Sequence, residues 1–146
     1  MNAKLLLRIA AIFMLLHAIG HSFGTLGWKK APNEAIGRVI DAMQSNHFTF
    51  MGRSTSFADF YEGYGISMIF ILLLISFLLW FLSYETNNAL AARLLLPMTL
   101  FLMLLVVAEY IYFFPFAAIF TFVAGLCTLL ARIRIGMQAS GHVTTG

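Results

Sequence analysis

The sequence predicts an all-α integral membrane protein, a four-helix up-down-up-down bundle with a short amphipathic surface helix between its first and second spans. Three observations predict it. Hydrophobic residues make up 61% of the 146 and charged residues 10%, with 15 phenylalanines; one domain of this size could not hide so much apolar side chain from water, so its natural solvent is a bilayer. Four segments reach the roughly 20 mostly apolar residues that a membrane helix requires. The connections after the second and third segments are short, which forces antiparallel neighbours.

The first span runs from Leu5 to about Leu26. It carries Lys4 and Arg8 at its front as a signal peptide would, but the apolar run is long and no small-residue cleavage site follows before Trp28, so retention is expected. The long connection, residues 27–56, contains "PNEAIGRVIDAMQ". Pro32 and Asn33 are start signals. Ile36, Val39, Ile40 and Met43 then recur at helical spacing, with Glu34, Arg38, Asp41 and Gln44 on the other face. A short helix lying on the bundle or membrane surface is expected, either as a cover over the bundle end or as a lid. The second span, residues 57–84, opens with Ser56 and Asp59 spaced as a capping box. The third, residues 90–114, should bend at Pro97. The fourth covers residues 116–133 and holds Cys127, the one cysteine, which has no disulfide partner and reads as a packing residue.

Four spans place Lys4, Arg8, Arg93, Arg132 and Arg134 on one side and Lys29, Lys30, Arg38 and Arg53 on the other. The excess favours both termini in the cytoplasm of a bacterial inner membrane. A net charge of +3, spread over helix ends, provides no patch for nucleic acid.

The few polar groups within the spans carry the functional reading. An ionisable side chain at the centre of a span costs about 2.5 to 3.5 kcal/mol on insertion scales, so each should face protein or water. His17 and His21 lie one turn apart on one helix face. Gly20 and Gly24 form a small-xxx-small pair on that side, which predicts close approach of another helix. In the second span, "FADFYEGYG" places Asp59 and Glu62 on a shared face, flanked by Tyr61 and Tyr64. In the third, "VVAEYIYFFP" carries Glu109 with Tyr110 and Tyr112. Alternating helix direction brings His17, His21, Glu62 and Glu109 to the outer half of the bilayer, with Asp59 near, and predicts one polar cluster.

Four uses of such a cluster are open. It fixes helix register as a structural or assembly device. Alternatively, His17, His21, Glu62 and Glu109 hold a metal such as zinc or iron. Alternatively, Glu62, His17 and Glu109 perform acid–base chemistry on a small hydrophobic ligand lined by His21, Asp59, Tyr61, Tyr64 and Tyr110. Proton-coupled transport is the fourth, and four helices would then require a homo-oligomer. Haem is disfavoured, because two histidines on one helix face cannot reach opposite faces of one haem. His47 reads as a loop histidine, and His142 as part of a disordered tail.

With these residues in view, the chain resembles a family of small four-helix bacterial membrane proteins. The likeness rests on "LLRIAAIFMLLHAIGHSFGTLGWKKAP" and on "FYEGYG", and covers about the first half of the chain. That family carries no assigned activity. The resemblance implies only that His17, Gly20, His21, Gly24, Glu62 and Gly63 belong to a recurring pattern. Glutathione-handling membrane enzymes are similar in size and topology, but their Arg- and Asn-rich second helix has no counterpart here.

Overall fold

The computed structural model describes residues 2–86 and 88–143, with side chains as far as residue 137. Five helices and one hairpin follow in order: α1 Ala3–Gly27, α2 Glu34–Ser45, β1 His47–Phe50, β2 Arg53–Ser56, α3 Phe57–Leu82, α4 Ala89–Tyr112 and α5 Pro115–Val143. Helices α1, α3, α4 and residues Pro115–Met137 of α5 are long and apolar enough to cross a membrane. The fourth apolar helix runs to Val143, well past the predicted end at Ile133, so the backbone at His142 is helical and not the disordered tail expected; its side chain lies outside those described.

Local chemistry sets the helix ends. The Asn33 side chain accepts a hydrogen bond from the Ile36 N–H at 3.0 Å and starts α2. Asn88 does the same for α4, accepting from the Leu90 N–H at 2.9 Å. The predicted capping box is formed: the Ser56 N–H donates to Asp59 Oδ2 at 2.8 Å, and the Asp59 N–H donates to Ser56 Oγ at 3.2 Å. Pro115 opens α5, where its missing N–H costs nothing. Helix α4 continues through Pro97, which removes one rung of its hydrogen-bond ladder.

The hairpin is a departure from the expected all-α fold, and His47, expected in a loop, begins its first strand. Its antiparallel pairs run from His47↔Ser56 to Phe50↔Arg53. Met51 and Gly52 form the two-residue turn with φ of 49° and 82°. A turn with both central residues at positive φ matches the twist of paired strands. Gly52 takes that conformation freely, whereas Met51 is held there against its preference.

The chain forms two compact units, residues 1–17 with 72–146, and residues 18–71. In the first, helix faces repeat at alternating steps of three and four. Leu7, Ala10 and Met14 of α1, Leu72 and Leu79 of α3, and Leu95 and Leu102 of α4 are buried. On α5 the buried row is Ala117, Thr121, Ala124, Thr128 and Ala131. These small residues let neighbouring backbones approach closely. An added Cβ on Gly125 would stand 3.0 Å from Met103 and 3.3 Å from Leu102, so α4 and α5 are in intimate contact. Hydroxyls inside these helices are satisfied locally or across the unit: Thr99 donates to the Leu95 carbonyl, Thr128 to that of Ala124, and Ser76 to that of Ala11.

In the second unit, the hairpin lies along the first turns of α3. Phe48 packs on Phe57 and Phe60, and Phe50 packs edge-on to Phe60. Trp28 meets Tyr61 with centroids 4.9 Å apart. Helix α2 packs against β2 and buries Ile40, while Ile36 and Val39 of its apolar face are exposed. Here α1 meets α3 at Gly65, where an added Cβ would be 2.7 Å from Thr25 Cγ2. Gly20 and Gly24 do not make the close approach predicted for them. Both are exposed, and a Cβ on either would meet nothing within 4 Å. The small-residue pattern marks a permissive face, but packing in this unit selected the neighbouring Thr25.

Candidate functional site

His17, Glu109 and Thr121 form a buried polar node in the first unit. Each occupies a core position in its own helix: His17 continues the Ala3, Leu7, Ala10, Met14 row of α1, and Glu109 follows Leu95 and Leu102 by sevens in α4. Thr121 belongs to the small-residue row of α5. His17 Nδ1 and the Thr121 hydroxyl are hydrogen-bonded at 2.9 Å. Glu109 Oε1 lies 3.7 Å from the same nitrogen, and both side chains are only 7% exposed. That is ion-pair range but beyond hydrogen-bond length. Glu109 Oε2 is buried and takes no hydrogen bond among the described residues. Phe120 covers the imidazole, its ring centroid 6.4 Å away. Three helices thus meet at these polar groups.

The other predicted site residues have different partners. His21 Nε2–H donates to the Gly65 carbonyl at 3.2 Å, at the close α1–α3 approach. Glu62 Oε2 pairs with Lys29 Nζ at 2.8 Å, with both side chains about half exposed. A pair this wet contributes little, on the order of 0 to 1 kcal/mol. Asp59 Oδ2 accepts from the Ser56 N–H, the Ser56 hydroxyl and the Thr55 hydroxyl, so that oxygen is occupied in locking the hairpin to α3. Tyr61 lies on Trp28, and Tyr110 is exposed. His17 and Glu109 are therefore brought together, whereas Glu62 is engaged by Lys29 and His21 by a backbone carbonyl. Among the described residues no group of three or more His, Cys, Asp or Glu side chains is gathered in a way that could hold a metal ion.

A groove that residue-by-residue reading missed lies between the hairpin and α3. Phe50, Met51, Arg53 and Thr55 from the hairpin face Asp59, Phe60, Gly63, Tyr64 and Ser67 of α3 around a space of about 680 Å³. The helix contributes one face, spaced by threes and fours. Tyr64 and Asp59 were expected at the rim of a pocket lined by His17, His21, Glu62 and Glu109; here they line a different space, which contains none of those four. The remaining wall was legible only through the strand alternation in "HFTF" and the Met-Gly turn, a weaker hairpin marker than Asn-Gly. Met51 at the tip is 92% exposed. The groove pairs aromatic and thioether surface with hydroxyls and one guanidinium, a lining suited to an amphipathic molecule.

Comparison with protein-family models, curated proteins and solved structures returns no match to this chain.

Proposed function

We propose that this chain is a multi-pass protein of a bacterial inner membrane that receives a small hydrophobic ligand in the groove between the hairpin and α3. On this reading the four spans run up-down-up-down, both termini are cytoplasmic, and the groove faces the outer side. The resemblance of the first half to small four-helix bacterial membrane proteins agrees with it. The 680 Å³ groove is the observation that carries the proposal.

The hairpin supports a position for the groove at the membrane surface. Two paired strands have two open edges, and alternate residues on each turn their N–H and C=O away from the partner. Such edges do not lie exposed in hydrocarbon. The hairpin tip shares the groove with Gly63, Tyr64 and Ser67, so α3 enters the hydrocarbon near that level. From Gly65 to Leu82 about 18 residues remain, or about 27 Å of helix, enough to cross. Phe50, Met51 and Tyr64 then occupy the interfacial layer, where amphipathic and aromatic side chains are favoured.

A photoactivatable, diazirine-bearing fatty acid tests the proposal. Labelling of the purified protein is expected to concentrate on Phe50, Phe60 and Tyr64. Gly63→Leu, which fills open space beside the helix, is expected to reduce it severalfold. Labelling no denser there than at the exposed Phe70, Leu74 and Phe77 of α3 would refute it. A second reading, a structural or assembly subunit, is favoured by one observation: the hydrogen bond of His17 to Thr121 and its ion-pair contact with Glu109 link α1, α4 and α5.

A further inference from the structure

A second groove lies within the first unit, where α4 begins and the apolar part of α5 ends. Ala92, Arg93 and Leu96 from α4 and Arg132, Ile133 and Gly136 from α5 line about 390 Å³. Two arginines from different helices therefore line one small space. Neither makes an ion pair among the described residues. Acids in this unit are scarce: it contains Glu85 and Glu109. Glu109 is 16 residues along α4 from Arg93, about 24 Å at 1.5 Å per residue. Only Glu85, in the connection before α4, is close in sequence.

Two like charges lining one space repel, and the close packing of α4 on α5 at Gly125 limits how far the helices that carry them can separate. A bound anion relieves that repulsion. Guanidinium groups match phosphate oxygens in a planar, bidentate fashion. The rest of the wall is apolar: Ala92, Leu96 and Ile133. The level is that of headgroups, since Arg93 lies in the second turn of α4 and Arg132 near the end of the apolar stretch of α5. At the same end of the unit, Arg8 lies over Trp80 and Tyr84, and Lys4 over Tyr84, as interfacial anchors do.

We propose that this groove binds an anionic phospholipid of the bilayer. Arg93 and Arg132 hold its phosphate, and Leu96 and Ile133 receive the first methylenes of an acyl chain. The proposal is independent of the hairpin groove. Basic pockets between membrane helices are suited to this chemistry, and the apolar wall sets the lipid apart from a soluble anion.

Native mass spectrometry of the full chain with phosphatidylglycerol, phosphatidylcholine or inorganic phosphate tests it. Wild type is expected to retain phosphatidylglycerol at least fivefold better than phosphatidylcholine. Arg93→Gln with Arg132→Gln should remove that preference. Gly136→Leu, which keeps both charges but occupies the groove, should weaken retention of phosphatidylglycerol as well and serves alone if the double variant does not fold. Arg134→Gln, altering a cation at the same end that does not line the groove, should retain the preference. Three results would overturn the proposal: unchanged preference in the double variant, an equal loss in Arg134→Gln, which would reduce the effect to general surface charge, or displacement of the lipid by inorganic phosphate.

Discussion

His17 lies on the core row of α1 where a leucine or methionine would otherwise sit, and its neighbours define what it can do. Thr121 satisfies Nδ1, and Glu109 stands at 3.7 Å. Removing one member of a buried polar pair strands the other, at a cost of about 3 to 5 kcal/mol in soluble proteins, whereas replacing both by apolar residues is often neutral. Interhelical hydrogen bonds in membranes are weaker, about 0.6 kcal/mol on average. His17→Leu is therefore expected to destabilise the protein by about 1 to 3 kcal/mol, since Glu109 is left with one partner fewer in an apolar core. The double variant His17→Leu, Glu109→Leu should recover most of that loss. Unfolding in mixed micelles would measure both, and additive losses would exclude a coupled pair.

At the scale of elements, two glycines of α3 separate close packing from open space. Gly65 lies against Thr25 of α1, with the Thr25 side chain 2.7 to 3.3 Å from where a Cβ would be, while Gly63 two residues earlier meets nothing. Gly65→Ala should cost about 1 to 3 kcal/mol through overpacking, and Thr25→Ala in the same background should restore most of it. Gly63→Ala should be neutral or stabilise by up to about 1 kcal/mol, because alanine favours the helix. Thermal melts in detergent distinguish these outcomes; equal effects at both positions would mean that α1 and α3 do not meet at Gly65. The hairpin belongs to this scale too. Its docking depends on Asp59, one residue that serves both as helix cap and as clamp on Thr55.

For the whole molecule, four apolar helices imply that both ends of the chain emerge on one side if each helix spans. In a Cys127→Ala background, a cysteine at Met51 should react with a membrane-impermeant maleimide applied to intact cells. A cysteine at Asn2 should react only after lysis. The opposite pattern would invert the proposed orientation, and reaction of both from outside would exclude an even number of crossings. Met51 suits the assay because its side chain is almost wholly exposed and lies at a hairpin tip.

How much of this was legible in the sequence follows from range. Composition and apolar run length determined the four long helices to within a few residues at most ends, because a bilayer demands length and hydrophobicity whatever the partners. Cap residues acting over three positions determined where α2 and α3 begin, because Asn33, Ser56 and Asp59 find their backbone partners locally. The cost of an ionisable side chain inside a span predicted that His17 and Glu109 face protein or water, and both are buried in the structure. Only the tertiary structure decided which polar groups meet. Lys29 took Glu62, a carbonyl took His21, and Thr121 joined His17 across 104 positions of chain. The hairpin groove and the paired arginines were decided there as well. Depth in a membrane restricts a side chain to one level, but the rotation of each helix about its axis selects its neighbour, and that rotation is set by packing between segments distant in the chain.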